Sequence, residues 1–169
     1  MLKFYDINEN YVEYLQTIDR QIPNIGYSTN NKFICGIILN IDGYNYYAPV
    51  SSNTKMYRTS FSIKNKNNFI IATIRFCFMF PAPFDVLMEK NFKLVKQSNS
   101  RYADLLINEY DYCVLNEDKI LKKAKSVYDI GCNKKHKFNY TCCDFKLLEN
   151  KMSGYEEYIT RKEIAVSKE

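Results

Sequence analysis

Two β-forming runs on either side of Asp42-Gly43 constrain this chain more than any other feature. Lys32 to Ile41 is nearly continuous in β-branched and apolar residues, and Tyr44 to Val50 returns with similar composition. Asp-Gly accepts the two positive-φ positions of a type I′ turn, whose twist matches the strands it joins, so the segment reads as a tight antiparallel hairpin. Pro49 cannot donate to a ladder and is expected at an edge or a strand end. Ahead of the hairpin, Met1 to Ile7 reads as a short strand. Asn8 then caps a helix carrying Tyr11, Val12, Leu15 and Ile18 at helical spacing, with Pro23 as its stop. Beyond it, Thr59 to Ile63 and Phe69 to Phe80 form a second strand pair across the turn Lys64 to Asn68. Phe92 to Val95 reads as one further strand.

The last part of the chain changes period. Ser100 is expected to cap a helix carrying Tyr102, Leu105, Leu106, Tyr110 and Cys113. Asn116 starts another, in which Ile120, Leu121, Ala124, Val127 and Tyr128 make an apolar stripe, Lys119, Lys122 and Lys123 lie opposite, and Gly131 is the stop. Thr141 to Asp144 resembles a capping box ahead of a helix using Phe145, Leu148, Met152 and Tyr155 inward. Strands first and helices later predict an α+β fold, a mostly antiparallel sheet with a helical C-terminal part. With 169 residues and neither linker nor repeat, one domain spanning 1–169 is expected.

Composition narrows the function classes. The six cysteines, Cys35, Cys77, Cys113, Cys132, Cys142 and Cys143, show no C-x-x-C spacing, and His136 is the one histidine, so neither a zinc site nor a disulfide framework is expected. No cofactor motif occurs. Met1 to Asp6 lacks a signal-peptide pattern, and the longest apolar run, Phe69 to Phe84, is broken by Arg75. A cytoplasmic protein without a membrane span is the expectation. The net charge of +5 allows nucleic-acid binding without requiring it.

The charge is unevenly spread. Gly43 to Phe84 runs 42 residues without Asp or Glu, where average composition would place about five acids. Ser51, Ser52 and Lys55 follow the aromatic strand directly, and Arg58, Lys64, Lys66 and Arg75 come after with nothing nearby to neutralise them. Further on, Lys119 to Lys137 holds seven lysines against the single acid Asp129. Hydroxyls beside unpaired cations suit a polyanion, and RNA is the expected target. Arg58, Lys64, Lys66, Lys119, Lys122, Lys123, Lys134, Lys135 and Lys137 are candidate phosphate contacts, with Tyr57 as a candidate base-stacking surface. Taken alone, each of these features is commonly a solvated strand end or a wet helix face.

Their order along the chain resembles a known family. The opening Lys3-Phe4-Tyr5, the helix with Tyr11-Val12-Glu13-Tyr14-Leu15 before Ile22-Pro23-Asn24, Lys32 to Ile37, Tyr46-Tyr47-Ala48-Pro49-Val50-Ser51-Ser52, Phe78-Met79-Phe80-Pro81 and Thr141 to Glu149 together resemble the ToxN/AbiQ endoribonuclease toxins of type III toxin–antitoxin systems. That resemblance implies a twisted sheet related to the partial barrel of MazF-type toxins, with surrounding helices. It implies a cognate RNA antitoxin of pseudoknot repeats, closed rings of toxin and RNA, cleavage of cellular or phage mRNA without a metal to leave 2′,3′-cyclic phosphates, and a role in phage defence. Carried over residue by residue, it makes Ser51, Ser52, Lys32, Lys55 and Tyr27 the candidate catalytic residues, although Lys55 is displaced by Asn53-Thr54 and Tyr27 by one position. The residues alone leave the general base open between a lysine, Lys32 first, and a tyrosine, and they equally fit a slow enzyme working mainly through orientation. They also leave open an RNA-binding module without catalysis and a toxin acting on a protein such as DNA gyrase.

Overall fold

The structure is a computed structural model and describes residues 2–24 and 33–167. Its elements are β1 (Phe4–Ile7), α1 (Glu9–Ile18), β2 (Phe33–Ile41), β3 (Tyr44–Ser51), β4 (Ser60–Lys64), β5 (Ile70–Arg75), β6 (Phe80–Pro81), β7 (Leu87–Glu89), α2 (Phe92–Ser98), α3 (Ser100–Leu115), α4 (Glu117–Cys132), α5 (Phe145–Lys151) and α6 (Tyr155–Val166). The strands form one antiparallel sheet ordered β4-β5-β3-β2-β1-β7, with β6 pairing on β3, and the sheet does not close. The α+β expectation holds, with helices surrounding an open sheet.

The central hairpin forms as its composition requires. Asp42 and Gly43 take φ values of 50° and 86°, both turn positions lying in the left-handed region. Pro49 is not at an edge, because β3 is interior. It falls between the ladder of β3 with β6, at Tyr46 and Tyr47, and that with β5, at Val50 and Ser51. A residue without an N–H is tolerated in that break.

Several boundaries differ from the sequence reading. Phe69 to Phe80 is not one strand: after Arg75 the chain makes a 3-10 turn at Phe76–Phe78 before re-entering the sheet as β6. The turn is held from outside, Phe76 N donating to Thr59 O at 3.2 Å and Cys143 N to Cys77 O at 2.9 Å. Phe92 to Val95 is helical, because Asn91 Oδ1 accepts from Lys93 N and Leu94 N and starts α2. Asn99, not Ser100, caps α3, and Asp144, not Thr141, caps α5. In α1 the Asn8 cap is as expected, but the helix ends at Ile18, before Pro23 is reached. Leu121 is exposed rather than inward. Gly131 does not end α4; it lies inside the helix, where a Cβ would meet the Phe145 ring at 2.4 Å, so its role is close packing.

The helical layer is locked to the sheet through a buried polar group. Glu149 of α5 accepts hydrogen bonds from Tyr46 of β3 at 2.8 Å, from Tyr128 of α4 at 2.7 Å and from Lys146 at 2.9 Å. Burial alone would raise its carboxyl pKa, but the three donors outweigh it and hold Glu149 below its ordinary value.

Candidate active site

Polar and apolar residues alternate along β4 and the end of β5, giving this corner of the sheet two distinct faces. Thr73 is paired with Ser51 on one side and Ser62 on the other, and Arg75 is paired with Ser60. Directly paired residues share a face, as do residues two apart on a strand, so Ser51, Ser60, Ser62, Thr73 and Arg75 project together. Val50, Phe61, Ile63, Ala72 and Ile74 take the opposite face, in and against the hydrophobic core.

Residues 52–59 fold back over the polar face and are pinned at two points. Thr73 Oγ1 donates to Asn53 O at 2.8 Å, while Ser60 Oγ accepts from Tyr57 N and donates to Tyr57 O, both at 3.0 Å. Between the pins the turn is built locally, Ser51 Oγ accepting from Asn53 N at 3.1 Å and Asn53 Oδ1 from Lys55 N at 2.9 Å. Ser51 is therefore buried, 1% exposed, with its oxygen engaged in shaping the turn, whereas Ser52 is exposed.

An open cleft of about 480 Å³ results, lined by Pro23, Asn24, Ser51, Ser52, Asn53, Tyr57, Arg75 and Phe78. None of these residues is acidic. The cations are held by aromatic rings instead of carboxylates: Arg75 Cζ lies 4.2 Å from the Tyr57 centroid and 5.3 Å from that of Phe78, and Lys55 Nζ lies 5.4 Å from Tyr57. The negative face of a ring attracts a cation without cancelling its charge, so positive potential is retained at the cleft.

A basic band leads away from the cleft. Arg58, next to Tyr57, places its guanidinium 5.2 Å from the Phe138 centroid, and Lys137 Nζ lies at the same distance from that ring. His136, two residues before Phe138, joins Lys122 and Lys125 in lining a shallow depression of about 530 Å³ that also includes Asp129. Two segments far apart in sequence thus meet at Phe138.

The structure gathers some of the expected residues and not others. Ser51, Ser52 and Tyr57 line the cleft, with Lys55 against Tyr57 at its side. Lys32 and Tyr27 lie outside the described residues. Lys64 and Lys66 are at the tip of the β4–β5 hairpin, the opposite end of that ribbon from Arg75, and Lys64 Nζ donates to Asn68 Oδ1 at 3.0 Å. Lys119 Nζ donates to Asn116 Oδ1 at 3.3 Å, one turn from Lys122, while Lys123 is half-buried and Lys135 exposed. Lys134 is not an unneutralised cation: it pairs with Asp144 at 2.9 Å, because the turn after α4 brings back an acid ten residues on. That pairing raises the Lys134 pKa and lowers that of Asp144. Arg75, Asn53 and Phe78 belong to the cleft without having been singled out for it. For Arg75 the available signal was the alternation Ser60-x-Ser62 and Thr73-x-Arg75. Among the described residues, no group of His, Cys, Asp and Glu could hold a metal ion, and no helix is long and apolar enough to cross a membrane.

Comparison with known proteins agrees with this architecture. Residues 3–153 match the family described as Toxin ToxN, type III toxin–antitoxin system. Endoribonuclease ToxN of Pectobacterium atrosepticum is 30% identical across 91% of this chain and 94% of its own. Endoribonuclease ToxN of Bacillus thuringiensis subsp. kurstaki is 27% identical across 95% of this chain and 88% of its own. A solved structure from a study of type III systems, concerned with selective toxin inhibition by a non-coding RNA pseudoknot, superposes with a TM-score of 0.83 at 23% identity, covering 92% of this chain and 98% of that one. With a family match across most of its length, this chain belongs to the ToxN toxin family of type III toxin–antitoxin systems.

Proposed function

We propose that the chain is an endoribonuclease toxin that cuts RNA in the cleft beside Ser52 and is restrained by a cognate RNA of pseudoknot repeats. The observation that carries this reading is the exposed Ser52 at the end of β3, in a cleft lined by an arginine and by no carboxylate. The names of its relatives, endoribonucleases of the same family, agree with it.

In the proposed reaction, the ribose 2′-oxygen attacks the adjacent phosphorus in line and the bond from phosphorus to the 5′-oxygen breaks. The 2′-hydroxyl loses a proton and the departing 5′-oxygen gains one, leaving a 2′,3′-cyclic phosphate and a 5′-hydroxyl. Such a transesterification consumes no water in the cleavage step and depends chiefly on orientation and on stabilising phosphate charge. Ser52 Oγ–H donates to a non-bridging oxygen, and Ser51 holds the turn that presents it. Lys55 supplies positive charge beside Tyr57. Lys32 is the proposed general base, and Tyr27 is carried over from the family resemblance as a further catalytic residue.

The band from Arg58 and Lys137 to Lys122 and Lys125 provides a track for further phosphates. The proposal extends to rings formed with the antitoxin RNA, to cellular or phage mRNA as substrate, and to phage defence as the biological setting.

Ser52→Ala tests the reading. Loss of one donor to the developing charge lowers cleavage by about 10²–10³-fold while RNA affinity changes little. Full activity in that variant removes the proposed site. RNA binding by wild-type protein that never cuts establishes the non-catalytic module instead.

A further inference from the structure

Arg75 is the cation that lines the cleft, and the reaction written above gives it no chemical task. We propose that it is a catalytic residue, gripping the non-bridging oxygens of the scissile phosphate with the edge of its guanidinium; this rests on the cleft being the site of RNA cleavage.

Three observations carry the proposal. The first is position. Arg75 ends β5 on the same face as Thr73, which is paired with Ser51, and it lines the cleft together with Ser51 and Ser52. The second is the aromatic setting. Tyr57 and Phe78 both lie against the guanidinium, its Cζ being 4.2 and 5.3 Å from their centroids, and such contacts attract the cation without neutralising its charge. The third is an unmet demand. Arg75 Nε is buried with no hydrogen-bond partner among the described residues, and no ion pair with Arg75 occurs among them. A buried N–H without an acceptor is unusual in a folded protein, and together with the missing ion pair it leaves the guanidinium uncommitted to any protein anion.

The chemistry of the side chain then selects the ligand. Arginine presents a planar fork of donors that matches two oxygens of one phosphate, which the compact ammonium of lysine does not reproduce. Fixed aromatic packing means that the fork need not reorganise as charge builds on the phosphorane oxygens. Arg75 transfers no proton and forms no bond in this role.

The test is single-turnover cleavage of an RNA oligonucleotide containing a mapped cut site, by the full chain and by Arg75→Ala, Arg75→Gln and Arg75→Lys. Each protein is also given the two phosphorothioate diastereomers at the scissile phosphate, and its fold is checked by circular dichroism and thermal melting. Arg75→Ala and Arg75→Gln are expected to slow cleavage by about 10²–10³-fold, with Arg75→Lys recovering at most about tenfold. Wild type should discriminate against one diastereomer, and that discrimination should vanish without the arginine, an effect that a merely structural plug would not produce. Should Arg75→Ala not fold, Arg75→Gln carries the comparison. Rates within about threefold of wild type, or an undiminished thio effect, overturn the assignment while leaving the cleavage site standing. If the wild-type protein cuts no RNA at all, the reading of the cleft fails and the role of Arg75 fails with it.

Discussion

Glu109 offers a quantitative check on the packing of the helical layer. It lies on α3, is 1% exposed, and its Oε2 has no hydrogen-bond partner among the described residues. Burial disfavours the carboxylate and raises its pKa from 4.5 to about 7. The folded state therefore holds this proton more tightly than the unfolded chain. Its stabilising contribution is fully present below about pH 4.5 and is lost as the pH rises through about 7. At 1.36 kcal/mol per pH unit across that interval, the loss is on the order of 3 kcal/mol, a large share of a typical domain's stability. Glu109→Gln replaces the acid by a neutral group of nearly the same shape. Urea unfolding of both proteins from pH 4.5 to 8 should show a difference near zero at the acid end, growing to about 3 kcal/mol in favour of the glutamine variant at pH 8. The difference cancels the titration of Glu149, Asp144 and other groups common to both proteins. A pH-independent difference, or greater stability of wild type at pH 8, would refute the reasoning by showing that Glu109 is ionised and paired.

Thr73→Val keeps the β-branched shape but removes the hydrogen bond that pins Asn53 O to the sheet. It should lower unfolding stability by about 1–2 kcal/mol and reduce cleavage at least as strongly as it reduces RNA binding, since it releases the turn presenting Ser52; unchanged cleavage kinetics would separate that pin from function. Gly36→Ala places a Cβ 2.3 Å from Cζ of Tyr47, a fully buried ring stacked on Phe80 at 5.3 Å. Overpacking there should cost about 1–3 kcal/mol, seen as a fall of roughly 3–10 °C in the thermal midpoint, and an unchanged midpoint would show that Tyr47 can move aside.

How much of this was readable in advance depended on the range of the interaction. The Asp42-Gly43 turn, the Asn8 cap and the apolar stripe of α4 are local features, and each appears nearly as composition and spacing indicate. Phe92 to Val95 failed because a short apolar run carries no decisive period, and the Asn91 cap decided it. Ser51 and Ser52 were visible as adjacent hydroxyls, but their different fates were not. Only the pairing of Ser51 with Thr73 shows that one is covered and the other exposed. Arg75 was visible as a charge interrupting an apolar run, and its place in the cleft follows from register and from contacts with Tyr57 and Phe78. Lys134 looked unneutralised in a local count, and its partner Asp144 returns only through the turn after α4.

The most direct test of the account is to map the ends left on one RNA oligonucleotide, incubated in EDTA with wild-type protein and, in parallel, with Ser52→Ala. The account predicts 5′-hydroxyl and 2′,3′-cyclic phosphate ends from wild type and cleavage slowed by about 10²–10³-fold in a variant that still binds the strand. Equal cleavage by both proteins, or wild-type products ending in a 3′-hydroxyl, would contradict it.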